Sequence, residues 1–159
     1  MAIGLRIIHE LGLVHHNLHT GNVLIGQGGK AYLTDLELNH PVNEESSEFG
    51  IYAVLPFVAP EVLRGGEYTA ASDVYSFGMI MWMLTSGTPK CYMDLMKRCC
   101  DNNKLERPSA TELEMIFRRW CIGEFDDQFI QADNIIQVKE VTGLLNMILL
   151  LQLDEELDL

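Results

Sequence analysis

Positive charge is the first thing this chain is short of. Its 159 residues carry 23 Asp and Glu against 11 Lys and Arg, a formal net charge of -12. Nucleic acid rewards basic patches, so no nucleic-acid partner is expected. The stretch from Asp35 through Glu61 has no Lys or Arg at all. A long apolar run is also missing. The most apolar segment, Leu144 to Leu153, falls well short of the roughly twenty residues that a spanning helix needs, so no membrane partner is expected. The start shows no basic n-region followed by a small-residue cleavage site, and no signal peptide is expected. Cys91, Cys99, Cys100 and Cys121 form no C-x-x-C pair. Their spacing suits neither a metal framework nor a disulfide framework, which points to an intracellular, cytoplasmic setting with buried thiols.

What is present is a series of short motifs in order. His15-His16-Asn17-Leu18-His19-Thr20-Gly21-Asn22 comes first. Two apolar triplets, Val23-Leu24-Ile25 and Ala31-Tyr32-Leu33, flank Gly26-Gln27-Gly28-Gly29 and read as a β-hairpin. Those glycines and Lys30 lead into a strand rather than into a helix, which favours a hairpin turn over a phosphate cradle. Asp35-Leu36-Glu37 follows, then Val58-Ala59-Pro60-Glu61, Asp73-Val74-Tyr75-Ser76-Phe77-Gly78 and Arg107-Pro108. Asp73 to Thr85 is apolar on nearly every face, the mark of a buried central helix, with Ser72 or Thr69 as its cap. Ser109-Ala110-Thr111-Glu112 has the form of a capping box for a helix whose apolar side is Leu113, Ile116, Phe117 and Trp120.

This series resembles the C-terminal lobe of the eukaryotic protein kinases. The first motif is similar to H-R-D-L-x-x-x-N, with His16 and Asn17 in place of the Arg and the catalytic Asp. Asp35 stands where D-F-G begins, Ala59-Pro60-Glu61 is an intact A-P-E, and the segment from Asp73 resembles the start of the large central helix. The fold class this implies is mainly α, a helical bundle with a short β-hairpin at the catalytic loop. The resemblance also implies roles. ATP and magnesium would be the cofactors, with Asn22 and Asp35 holding the metal. His15 would pack under the D-F-G turn, Asp73 would hold the catalytic loop, and Glu61 would pair with Arg107. Asn17 is the departure that matters: an amide can orient a hydroxyl but cannot take its proton at neutral pH.

Several family features are not found. There is no G-x-G-x-x-G-x-V loop and no V-A-I-K strand, so the expectation is a lobe without its N-terminal partner. Roughly twenty-five residues fewer than the family pattern separate the central helix from the next one, which would uncover Trp82 or Met83. His19-Thr20-Gly21 carries the signature of neither Ser/Thr nor Tyr kinases. Ser46 and Ser47 are flanked by Glu44, Glu45 and Glu48, so phosphate added there would meet like charge and find no local guanidinium.

The expected division is a kinase-like lobe over residues 1–122 and an acidic linker with a helical tail over 123–159, the tail helix running from Ile135 to Leu153. Three readings of function follow. The chain is a catalytically impaired, pseudokinase-like signalling or binding module with a protein partner, an active kinase whose N-terminal lobe was lost through a truncated gene reading, or a degenerate gene copy.

Overall fold

A computed structural model describes residues 1–36, 54–84, 88–124 and 126–136. Helix α1 spans Ala2–Glu10 and stops where Gly12 turns left-handed at φ 72°. The apolar stretch that continues to Val14 is therefore only partly helical, and Leu11 and Leu13 are exposed. Strands β1 (Val23–Ile25) and β2 (Ala31–Leu33) form the expected hairpin and pair antiparallel, Val23 opposite Leu33 and Ile25 opposite Ala31. The short helix α2 covers Pro60–Leu63, and proline suits its first position because that N–H has no partner within a helix.

Helix α3 (Ala70–Met83) is the axis of the molecule. Thr69 caps it: its hydroxyl accepts from the Ser72 N–H, and the Ser72 hydroxyl oxygen accepts from the Thr69 N–H at 2.9 Å. Val74, Phe77, Ile80 and Met81 are buried. Against α3 packs α4 (Lys90–Cys99) through Tyr92, Leu95, Met96 and Cys99, while α5 (Ala110–Cys121) adds Leu113 and Phe117. Leu5 of α1 and Leu18 of the loop close the core from the other side. Each such side chain withdrawn from water stabilises the fold by about 1.5–3 kcal/mol. The result is a mainly helical body with one small hairpin, the fold class that the motifs imply.

The expected exposure beside α3 is found: Trp82 and Met83 are 56% and 60% exposed. Thr85, Ser86 and Gly87 lie outside the described residues, as do residues 37–53 with Ser46 and Ser47. The capping box expected at Ser109 is half made. Its hydroxyl accepts from the Glu112 N–H, but the Glu112 carboxylate accepts from Arg98 at 2.7 Å. Cys99 is buried and Cys91 and Cys100 are half-buried, whereas Cys121, expected inside, is exposed. Burial pushes the Cys100 thiol up to about 11 and raises Cys91 and Cys99 as well, so these three stay protonated and unreactive at neutral pH.

Helix α6 (Asp126–Ile136) begins well before the expected Ile135. Gly123, at φ 88°, turns the chain after α5, and Phe129 then sets its ring edge-on to Trp120 with centroids 5.8 Å apart. Beyond Ile136 the expected tail helix lies outside the described residues.

Gly78 sets how closely α3 and α4 approach. A Cβ built there would stand 2.6 Å from Cys99 Cβ and 2.7 Å from Cys100 Sγ. Alanine would gain about 1 kcal/mol in helix propensity, but the overlap involves a Cβ fixed to the α4 backbone, and overpacking typically costs 1–3 kcal/mol. Gly78→Ala is expected to lower the urea midpoint; a midpoint at or above that of the parent would show that α4 can slide away freely.

Candidate catalytic-loop site

Asp73 lies in the first turn of α3, buried, where the helix dipole favours a carboxylate. Its Oδ2 accepts the His15 N–H at 2.7 Å and its Oδ1 the His16 N–H at 3.1 Å. The His9 ring of α1 approaches Oδ2 at 2.9 Å. One carboxylate thus ties α1, α3 and the loop together. The loop bends sharply at this anchor: His16 takes a left-handed φ of 69°, uncommon for a residue with a Cβ, and stacks on Tyr68 at 5.1 Å between centroids. The His15 ring is fully enclosed, and neither of its nitrogens has a hydrogen-bond partner among the described residues.

Asn17 follows, half-buried, its N–H donating to the His15 carbonyl at 2.9 Å. Leu18 plugs into the core beneath it. His19 Nδ1 accepts from the Gly21 N–H at 3.1 Å and so opens a 3-10 turn over Thr20–Asn22. That turn delivers Asn22, whose Nδ2 donates to the Asn17 carbonyl at 2.8 Å and lies 3.4 Å from Asp35 Oδ2. The Asn22 carbonyl accepts both the Thr34 N–H and its hydroxyl, which fastens the end of β2 to the loop. Asp35 is exposed and takes φ 60°. The hairpin therefore returns the chain so that Asn17, Asn22 and Asp35 form one cluster.

Glu61 and Arg107 form a second, separate cluster. The guanidinium binds the carboxylate bidentately at 2.6 and 2.8 Å, donates to the Ala71 carbonyl at 3.0 Å and the Asp101 carbonyl at 2.8 Å, and lies over the Tyr75 ring at 5.2 Å. The Arg107 hydrogen bonds hold the Glu61 carboxyl below its ordinary range, against the opposing effect of burial. A turn with Gly65 at φ 87° follows α2, and the Gly66 N–H donates to the Glu61 carbonyl at 2.9 Å.

The sequence pattern of the protein tyrosine and serine/threonine kinase family matches residues 1–95. The chain belongs to that family. It is 30% identical over 123 residues to a probable serine/threonine-protein kinase of Encephalitozoon cuniculi, covering 70% of this chain and 23% of that one. To the human dual serine/threonine and tyrosine protein kinase it is 31% identical over 122 residues, covering 74% of this chain and 13% of the relative. The human ribosomal protein S6 kinase-related protein is 33% identical over 87 residues, 55% of this chain and 21% of that one. The chain thus spans less than a quarter of the length of each of these relatives.

Set on the kinase pattern, the first cluster lies in the segment that resembles the catalytic loop, and the second ties Glu61 to Arg107, between α4 and α5. Asn22 carries an amide oxygen and Asp35 a carboxylate, hard donors of the type that magnesium takes, but it is Asn22 Nδ2 that lies 3.4 Å from Asp35 Oδ2. Among the described residues no three His, Cys, Asp or Glu side chains are grouped to hold a metal. No helix among the described residues is long and apolar enough to cross a membrane.

Some contributors were missed by the sequence reading. His9 and Tyr68 carry no motif of their own. Ser76, inside α3, donates its hydroxyl to the Phe57 carbonyl at 2.7 Å and so fixes the segment ahead of α2. The buried Glu114 of α5 accepts from Arg6 of α1 and, at 2.8 Å, from Arg118. Burial raises its pKa, and the two guanidinium partners outweigh that and lower it.

Proposed function

We propose that this chain is a catalytically silent kinase-like module that acts in signalling by binding a protein partner. The observation that supports this reading is Asn17. The loop backbone around it is anchored, through Asp73 on one side and Asn22 on the other, and by resemblance to the kinase motif Asn17 falls where a carboxylate would take the proton of an incoming hydroxyl. Asn22 and Asp35 are the residues that would hold magnesium. Bound with ATP, that ion would neutralise the phosphates. What the loop lacks is the proton acceptor, a group worth about 10²–10⁴ in rate. Asp73, Glu61 and Arg107 support a folded module over a degenerate gene copy, because buried charges persist only where their partners do.

The experiment is radiolabelled phosphate transfer from ATP and magnesium to a general acceptor protein, run beside a thermal melt. The expected outcome is cooperative melting, little change in midpoint with ATP and magnesium, and no incorporation. The proximity of Asn22 to Asp35 favours one other reading, an active kinase, and incorporation that Asp35→Ala abolishes would establish it in place of ours. Non-cooperative melting would favour the degenerate copy.

A further inference from the structure

The hairpin has two outer edges, and α1 covers one of them. The N-terminal ammonium donates to the Ala31 carbonyl at 3.3 Å, and Gly4 lies beside Leu33, which closes the β2 side. On the β1 side the phase of the ladder decides what is presented. The Gly26 N–H donates to the Lys30 carbonyl at 2.8 Å and the Thr34 N–H to the Asn22 carbonyl at 3.0 Å. Leu24 therefore bonds toward Tyr32, and Val23 and Ile25 turn their backbone groups outward. The Thr20 carbonyl takes the Val23 N–H. The Ile25 N–H and carbonyl have no protein partner among the described residues.

Side chains and charge set this edge apart from the rest of the surface. A sheet edge left in water is normally guarded by a lysine, a proline or a bulge, and Val23, Leu24 and Ile25 supply none. Leu24 and Ile25 are 56% and 54% exposed, and Tyr32, opposite Leu24, is 49% exposed. From Leu11 to Gly29 there is no Asp, Glu, Lys or Arg, in a chain whose net charge is -12. Two copies of so acidic a chain repel one another over most of their surface. At this edge they do not. Lys30, the next residue, bonds across the hairpin from the β2 side.

We propose that two copies of this chain associate through β1, antiparallel across a twofold axis, to make one four-stranded sheet with Ile25 opposite its counterpart. The Ile25 N–H of each copy donates to the Ile25 carbonyl of the other, so the same patch serves both sides, as a twofold contact requires. In that register Leu24 comes opposite Gly26 of the other copy. Gly26 has no side chain to obstruct it, and the Tyr32 ring of that copy already lies over the glycine. An aliphatic side chain thus meets an aromatic one across the new strand pair, a favourable combination. Two strands alone make a marginal sheet, and four make a sounder one. With three residues to a strand the contact is at the small end of protein interfaces, and the association is weak and concentration-dependent. It does not depend on whether the catalytic loop is silent.

Sedimentation equilibrium of the whole chain over a hundredfold range of concentration is expected to show a monomer becoming a dimer. Amide exchange at Ile25, followed by NMR, should slow severalfold over the same range. The Leu24 and Gly26 amides, bonded within the hairpin, should stay as they were. Ile25→Lys keeps the ladder but sets two ammonium groups against each other across the axis, and should weaken the dimer at least tenfold. Met83→Lys, on the other exposed apolar surface, should leave it unchanged. A monomer at every concentration overturns the proposal. A dimer in which the Ile25 amide gains no protection, or one that Ile25→Lys does not weaken, also overturns it, because another surface then makes the contact. If Ile25→Lys fails to fold, exchange at Ile25 in the parent chain decides alone.

Discussion

Arg107→Ala is expected to destabilise the chain by about 3–5 kcal/mol, the cost of removing one member of a buried ion pair. The side chain of Arg107 is 0% exposed and that of Glu61 is 20% exposed, so water cannot replace the lost partner well. The Ala71 and Asp101 carbonyls lose their donor as well, and the Tyr75 ring loses the cation above it. Glu61→Ala should cost a comparable amount, because an arginine left behind cannot discard its charge. Arg107→Lys should rescue little, since a point-like ammonium cannot reproduce the planar fork. The pair also makes stability depend on pH. Hydrogen bonding to Arg107 depresses the folded-state pKa of Glu61. Its contribution is therefore fully present above the unfolded-state value of about 4.3 and is lost as pH falls through the lower folded value. Urea midpoints from pH 7 down to pH 3 test both parts. If Glu61→Ala and Arg107→Ala each leave the midpoint in place, the pair has no role in holding the fold. If Glu61→Gln keeps the full acid dependence of the parent, the pH argument fails.

The sequence was most legible where a local pattern alone determines the structure. Two apolar triplets around a glycine-rich turn can hardly do anything but pair, and β1 and β2 start and stop where those triplets do. An unbroken apolar stretch after Thr69 and Ser72 likewise foretold a capped, buried α3. Arg107 and Glu61 could be matched only through resemblance, since nothing local links residues 46 positions apart. What stayed hidden depends on tertiary geometry. The left-handed turns at His16 and Asp35 occur without glycine, so no turn signal marks them. His9 carries no motif of its own, and its contact with Asp73 depends on where α1 lies. The start of α6 had a usable signal in Asp126 and Asp127, acids that suit the first turn of a helix, but apolar periodicity drew the boundary to Ile135. Cys121 sits on the outer face of α5, a matter of helix phase that cysteine spacing cannot report.

Asp73→Ala should loosen the catalytic loop more than any change within the loop itself. The carboxylate accepts two backbone N–H groups, from His15 and His16, and neighbours the His9 ring, all from a site that is almost completely buried. Removing it leaves two donors without an acceptor, at about 1–3 kcal/mol each. Asp73→Asn is the sharper variant. It keeps the shape and one acceptor oxygen but turns an NH₂ group toward a donor, so one of the three contacts becomes repulsive. The expected order of destabilisation is Asp73→Ala, then Asp73→Asn, then His9→Ala, which removes only the ring contact. Native-state hydrogen exchange distinguishes this role from a general loss of stability. The amides of His15 and His16 should exchange faster in Asp73→Asn under conditions where those of β1 and β2 hardly change. If those two amides keep their protection in Asp73→Asn, the loop is held by something else. In that event the placement of Asn17, which depends on the bend at His15 and His16, must come from the packing of Leu18 and the bond from Asn22.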